Sequence, residues 1–486
     1  MANEKKSLKL NFIMNAALTM SAFLFPLISF PYVSRILLPE GTGKVSFATA
    51  LINYFLMFAQ LGIPTYGVRA CAKVRDDRRK LTKTAQELLI INLVMTAISY
   101  AALFGALIFV PRLRQERALY LVVSVSILFS SIGMEWLYKA LEQYAYITVR
   151  SLIFKLIALG GMFLLVRTKE DYILYGGITI FAASASGVLN FIHARRYIDM
   201  RPVGGFEFKP HLKAVAVFFA MSCATTIYTN LDTVMLGFMA SDETVGYYSA
   251  AVRIKNILVS IVTSLGTVLL PRAAYYVEHK KMDEFHTISR KALNFVLVAA
   301  VPMMLYFMLF ARDGIFLLSG DRYAGAIHPM RLAMPTLVFI GLSNILGIQI
   351  MVPMGKELWV LGSICVGAVV DVVANLLLIP PFGAAGAAMA NMLAEGAVTL
   401  VQFILLWSQV KGSLAKIQYW KLVPALGAAV GASIWVAGLG LGSFVSLALS
   451  GVLFFAAYGL TLLLLRERLV MEVFGQMLRK VKGGRQ

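Results

Sequence analysis

Charged and amide side chains inside long apolar segments are the residues of this chain that could do chemistry. Asp232 lies about seven residues before the end of one such segment, and Arg253 about eight residues after the start of the next. If both segments span a membrane, both side chains lie roughly 10–12 Å below the same surface, at about 1.5 Å per residue. A charge at that depth is costly and usually faces a cavity or a partner. We therefore expect the two to line a cavity, with a buried pair that only fixes helix packing as the alternative.

Other polar side chains extend this set. Lys255 and Asn256 lie beside Arg253, Asn53 lies at the same depth in the second segment, and Arg35 closes the first. Lys155, in the fifth segment, could attract an anionic headgroup, although snorkelling of its ammonium explains it equally well. Cations and amides of this kind suit an anionic, polar ligand. The candidate binding residues are Arg35, Asn53, Lys155, Arg253, Lys255 and Asn256.

A second polar group lies in two later segments. Asp371 and Asn375 are four residues apart and share one helix face, as do Asn391 and Glu395. Hydrogen bonding between the two helices is the simpler interpretation. The alternative is that Asp232, Asp371 or Glu395 is a carboxylate that couples transport to an ion.

Patterns typical of enzymes and metal sites are absent from the sequence. It contains no GxSxG, Walker A or HExxH motif, and its three cysteines, Cys71, Cys223 and Cys365, are far apart. We therefore predict no catalytic residues, no metal site and no cofactor, and expect a protein that is not an enzyme.

Composition indicates what must position these residues. Of 486 residues, 59% are hydrophobic and only 14% are charged, and the mean hydropathy is +0.76. Apolar runs of about 20 residues, enough to cross a bilayer, recur along the whole chain. The sequence predicts an all-α polytopic membrane protein with about 14 spans. They are roughly 11–34, 45–67, 84–110, 118–139, 147–166, 172–193, 213–239, 245–270, 291–317, 329–351, 358–379, 384–408, 421–439 and 444–465.

Basic residues predict the orientation. The net charge of +20 is spread over short alternate loops, such as 69–83 and 195–213. This pattern is typical of cytoplasmic loops, so both termini are predicted to be cytoplasmic and nucleic acid is not an expected partner. Arg112, Arg114 and Arg117 are the exception, because this topology places them outside.

An internal repeat predicts two lobes. A shift of about 203 residues aligns Glu40, Gly43, Asn53 and Arg69 with Glu243, Gly246, Asn256 and Arg272. Six spans per copy give both copies the same orientation. The predicted domains are an N-lobe at 1–205, a C-lobe at 206–410, and two further spans with a basic cytoplasmic tail at 411–486.

Several motifs at these positions resemble a known family. Glu135, Lys139 and Glu142 form a charged face beside Trp136, in a motif that ends the fourth span. The motifs are Phe30–Leu37 followed by Glu40 and Gly43, Gly62–Arg69, Glu135–Glu142, Ile147–Arg150, Asp232 with Val245–Tyr248, and Phe382–Ala388 followed by Glu395. Together they resemble the polysaccharide-transporter branch of the MOP superfamily, the Wzx-type flippases. Leu38-Pro39 departs from the family, which usually has glycine at the first position.

The resemblance implies a MATE-like fold of two six-helix lobes plus two C-terminal helices, in the bacterial inner membrane. It also implies the substrate, an oligosaccharide on undecaprenyl diphosphate, whose charge Arg35, Arg253 and Lys255 could hold in a cavity. Membrane lipids, a polysaccharide polymerase and chain-length proteins are the expected partners. An ion-coupled drug or metabolite antiporter, a lipid II flippase and a membrane glycosyltransferase or polymerase remain as alternatives.

Overall fold

The computed structural model describes residues 8–415, 417–472 and 475, and within these ranges the protein is helical, with no β-strand. Most of the predicted basic tail lies outside these residues. The helices are α1 Leu8–Gln60, α2 Ile63–Lys73, α3 Arg78–Phe109, α4 Pro111–Arg114, α5 Arg117–Ile132, α6 Glu135–Ala140, α7 Tyr144–Leu165, α8 Tyr172–Ile180, α9 Ser186–Ala194, α10 Lys209–Met239, α11 Asp242–Glu278, α12 Met282–Leu309, α13 Ala311–Ser319, α14 Ile327–Ala333, α15 Thr336–Ser343, α16 Glu357–Phe382, α17 Ala384–Leu414, α18 Leu422–Ser433 and α19 Ser443–Leu464. Two π-helical segments, Phe181–Ala185 and Asn344–Met351, continue α8 and α15.

The number of spans agrees with the sequence. Eleven helical stretches of the described chain are long and apolar enough to cross a membrane, or thirteen when two bent pairs are included. One of them, Ile13–Lys73, has 61 residues. At about 1.5 Å per residue it extends for roughly 90 Å, whereas a bilayer core is about 30 Å thick. This stretch therefore contains both of the first two predicted spans, which brings the total to the 14 expected.

The break within α1 lies at the residue that departs from the family motif. Leu38 adopts φ 61° and ψ 177°, a backbone region in which residues other than glycine are strained. Farther along, a Cβ added at Gly43 would lie 1.8 Å from the carbonyl oxygen of Asp242. Only glycine fits there. Because it has no side chain, α1 can lie directly against the start of α11.

The chain forms two compact units, Met1–Gly246 and Tyr247–Gln486. The first extends beyond the predicted lobe boundary at residue 205 because α10 packs along α1. The rings of Phe47 and Phe238 meet edge to face at 5.1 Å between centroids. The predicted division into 1–205, 206–410 and 411–486 stays a prediction.

Arg112, an exception to the charge rule, is compensated within the first unit. Its guanidinium donates to the carboxylate of Asp242 and, at 3.2 Å, to the carbonyl oxygen of Gly237. Lys44 similarly lies 2.9 Å from Glu116. These basic groups are therefore paired with acidic groups at the same helix ends.

In the second unit, the two predicted C-terminal spans form two distinct helices, α18 and α19. Helices α18 and α19 pack against α12, with Tyr306, Phe454 and Tyr458 in a shared apolar cluster. Gly386 allows close helix packing, because a Cβ there would lie 2.1 Å from the carbonyl oxygen of Leu378. The described start of the tail returns to α12, where Lys291 lies 2.8 Å from Glu472.

Candidate functional site

In the first unit, α10 carries a polar face within an apolar span. Thr225 and Thr229 are exposed, and each hydroxyl donates to the carbonyl four residues earlier, at 2.7 and 2.9 Å. Asn230, the next residue of α10, accepts a 3.2 Å hydrogen bond from the Asn53 amide of α1. Threonines that bond back to their own helix keep their oxygens available as acceptors. The helix therefore offers hydroxyl and amide groups where an apolar surface would be expected.

The predicted candidates of the first unit lie in different surroundings. Arg35 is exposed, and its guanidinium donates to the Pro31 carbonyl. Lys155 is half-buried and donates to the Ser21 hydroxyl at 2.8 Å, so its ammonium binds another helix. Asp232 is buried on α10. The structure brings Asn53 to the polar face of α10 but places Lys155 against α1.

In the second unit, Lys255 is buried between helices. It is 7% exposed, and its ammonium donates to the Asn391 side chain of α17 at 2.9 Å. Arg253 is half-buried and Asn256 is exposed, although both lie on α11 with Lys255. The contact of Lys255 is one between helices, which differs from the open cavity position that we expected. Its role in binding stays a prediction.

The carboxylates of the second unit are also buried. Asp371 accepts a 3.2 Å hydrogen bond from Asn375, four residues later on the same helix, so this bond lies within α16 and not between two helices. Glu395 is 9% exposed and lies one turn after Asn391 on α17. Within the described residues, no group of three or more His, Cys, Asp or Glu side chains could hold a metal ion. A role for Asp232, Asp371 or Glu395 in ion coupling stays a prediction.

A pocket in the first unit contains residues that the sequence analysis did not choose as a site. It encloses about 160 Å³ between α2, α5, α6, α7 and α9. Since about 10–15 Å³ suffices for one water, it can take a much larger group. Arg150, Trp136 and Asn190 line it. They are 8%, 4% and 1% exposed.

Four polar atoms of these residues lack a hydrogen-bond partner within the described chain. They are Nε and Nη1 of Arg150, Nε1 of Trp136 and Oδ1 of Asn190. Leaving a buried polar group unsatisfied costs about 1–3 kcal/mol, and more when it is charged. The pocket therefore maintains three donor atoms and one acceptor atom at a cost to the fold.

Close helix packing fixes these side chains. A Cβ at Gly67 of α2 would lie 2.8 Å from the Trp136 ring, so the indole rests directly on that glycine. A Cβ added at Gly187 of α9 would likewise lie 2.4 Å from the Phe129 carbonyl oxygen of α5. The Arg150 guanidinium lies over the Tyr146 ring, 5.5 Å from its centroid. The indole and the guanidinium are thus held by contacts with other side chains and backbone.

Charge in the pocket favours an anion. Its ionisable lining residues are Glu135, Lys139 and Arg150. The first two form an ion pair at 3.0 Å, which leaves one net positive charge on the guanidinium. The sequence placed all of these residues in motifs. Arg150 differs from the other two because it is buried and two of its nitrogens have no hydrogen-bond partner within the described residues. This property depends on tertiary packing and cannot be read from the sequence.

The sequence motifs now have an independent counterpart. Residues 8–277 match the family profile described as polysaccharide biosynthesis protein. The chain belongs to this family. The resemblance to the Wzx-type branch of the MOP superfamily is thereby confirmed, and residues 218–377 match the MatE profile as well. A relative from Escherichia coli K12, named "Putative O-antigen transporter", is 25% identical over 353 residues, 72% of this chain and 85% of that protein.

Solved structures confirm the fold expected for a member of this family. A lipid II flippase, MurJ, in an inward closed conformation, superposes with a TM-score of 0.73 at 15% identity, over 93% of this chain and 98% of that one. An outward-facing multidrug resistance transporter of the MATE family gives 0.52 at 12% identity, over 84% and 95%. The protein is an all-α, MATE-like polytopic membrane protein.

Proposed function

We propose that the protein moves undecaprenyl-pyrophosphate-linked oligosaccharide repeat units across the bacterial cytoplasmic membrane by alternating access. In general terms, without specifying the substrate, it is a polysaccharide flippase, which is a multi-pass membrane transporter rather than an enzyme. The observation that carries the finer proposal is the polar surface of α10, where Thr225 and Thr229 are exposed and Asn230 is half-buried. An oligosaccharide needs such donors and acceptors inside an apolar span, whereas an apolar drug does not.

The cations have a separate role in this proposal. The diphosphate is anionic, so Arg35 and Arg253 hold it through charge-assisted hydrogen bonds. The sequence contains no ATP-binding motif. Movement is therefore driven by an ion gradient, by the membrane potential or by removal of the product outside. A polymerase and chain-length proteins act on the product, and both termini are cytoplasmic.

Deletion of the gene tests the proposal. Undecaprenyl-linked repeat units should accumulate on the inner leaflet, and the surface polysaccharide should be lost while cell-wall synthesis continues. Arrest of wall synthesis instead would indicate a lipid II flippase.

Incubation of the purified protein with acceptor and labelled donor should give no product. Product formation would contradict the transporter proposal.

Variants of the two cations separate the flippase from an antiporter of the same fold. Arg35→Ala and Arg253→Ala should each lower surface polysaccharide at least tenfold, because the diphosphate loses a counter-charge. A drug or metabolite antiporter should tolerate both changes. Arg195, an exposed arginine outside the spans, provides the matched control, and Arg195→Ala should leave the polysaccharide unchanged.

A further inference from the structure

The pocket of Arg150, Trp136 and Asn190 is chemically distinct from the polar face of α10. The face is made of hydroxyl and amide groups, several of them exposed. The pocket is instead lined by Arg150 and Trp136, whose Nε, Nη1 and Nε1 atoms are buried and without an acceptor within the described residues. Nothing in the transport proposal uses these atoms.

The unsatisfied atoms define what the pocket would bind. Nε and Nη1 of Arg150 point their hydrogens from different edges of the planar guanidinium, so each needs its own acceptor oxygen, such as an oxygen of a phosphoryl or carboxylate group. Trp136 Nε1 donates only, so it also needs an acceptor. Asn190 Oδ1, the orphaned acceptor, needs a donor such as a hydroxyl. A ligand with an oxyanion and a neighbouring hydroxyl would satisfy all four atoms.

Size and charge select among oxyanions. The cavity of about 160 Å³ exceeds the space of a single water many times over. The ion pair of Glu135 with Lys139 neutralises those two side chains, and the guanidinium therefore supplies the net charge.

We propose that this pocket is a binding site for a phosphoryl group with a hydroxyl nearby, held by the Arg150 guanidinium and the Trp136 indole N–H. Two sources share this chemistry, a soluble phosphate compound and the headgroup of an anionic phospholipid such as phosphatidylglycerol. The site does not depend on the transport proposal, since either source can bind whether or not the protein flips an oligosaccharide.

Two binding measurements on the purified full-length protein test the site. In the first, pyrophosphate is titrated by calorimetry at constant ionic strength. In the second, native mass spectrometry counts phosphatidylglycerol retained against phosphatidylcholine. Binding in the first arm alone identifies a soluble ligand, and binding in the second alone identifies a lipid headgroup. In whichever arm binds, Arg150→Gln should weaken binding at least tenfold and Trp136→Phe about threefold.

Matched variants keep the test interpretable. Trp136→Phe removes only the indole N–H and retains an aromatic ring, so it remains informative if Arg150→Gln does not fold. Arg195→Gln removes one exposed positive charge and should bind as the parent does. Binding that is unchanged by both pocket variants, or absent from both arms in the parent, would overturn the proposal. Equal loss in Arg195→Gln would also overturn it, because binding would then reflect net charge alone.

Discussion

Two regions of this protein keep a buried cation in opposite ways. In the second unit, the Lys255 ammonium has an amide partner, Asn391, at 2.9 Å. In the first unit, two nitrogens of the Arg150 guanidinium have none within the described residues. A satisfied buried group stabilises a fold, whereas an unsatisfied one costs free energy. The Lys255 ammonium is thus satisfied by a contact between helices, whereas Arg150 is, in our proposal, reserved for a ligand.

The comparison predicts opposite stability effects for the two cations. Lys255→Met should lower the free energy of unfolding by about 1.5–3 kcal/mol, because a hydrogen bond to a charged group is lost. Arg150→Met should leave it unchanged or raise it, because no such bond is lost at Nε or Nη1. Thermal unfolding of the two variants in the same detergent measures this. A larger loss in Arg150→Met would remove the contrast.

A second cost in the first unit is the backbone at Leu38. Leu38→Gly should relieve about 1–3 kcal/mol of strain, offset by lost apolar burial, for a net gain of about 1 kcal/mol in unfolding free energy. The neighbouring Leu37 is 1% exposed, and Leu37→Gly should destabilise the protein. Melting temperatures that fall for both variants would show that Leu38 is not strained.

The support beneath the pocket predicts a smaller effect. Gly67→Ala places a methyl group 2.8 Å from the Trp136 ring, so the indole must shift and phosphoryl binding should weaken about threefold. A Cβ added at Gly105 in α3 would have nothing within 4 Å, and Gly105→Ala should bind as the parent does. Calorimetric titration with pyrophosphate compares them. Equal affinities in all three proteins would argue against a role for the indole.

The smallest expected effect is on the stability of the first turn of α3, which Asp77 caps at the surface. Asp77 begins α3 and accepts from the backbone N–H groups of Lys80 and Arg79, which lowers its pKa below the usual 3.8. A lowered folded-state pKa contributes stability above the unfolded pKa, and this is lost as pH falls through the folded value. Hydrogen exchange at the first turn of α3 should therefore accelerate only below about pH 3.8. Asp77→Asn, which keeps an acceptor, should remove this pH dependence.

Hydropathy predicted the fold because the spans are long and apolar. The spans at 421–439 and 444–465 both correspond to helices of the structure, although their glycine and alanine content made the division difficult. Spacing also placed Asp371 and Asn375 on one helix face, where they form a hydrogen bond. These features depend on local helical periodicity, which the sequence contains directly.

The pocket could not be predicted in the same way. Lys255 and Arg150 are both cations within apolar segments, and nothing in the sequence distinguishes the one that has a partner. That difference depends on which helices meet, for example α11 with α17 and α7 with α6. The polar surface of α10 could have been predicted, because Thr225 and Thr229 are four residues apart in the seventh span and Asn230 follows directly.

Reconstituted flipping tests the central proposal most directly. The purified protein is placed in liposomes that contain a fluorescent undecaprenyl-diphosphate oligosaccharide, and a membrane-impermeant quencher reports the label on the outer leaflet. The account predicts that the protein moves labelled lipid between leaflets much faster than protein-free liposomes do, and that Arg35→Ala slows this movement at least tenfold. Movement no faster than in protein-free liposomes, under a membrane potential and under proton or sodium gradients, would contradict it.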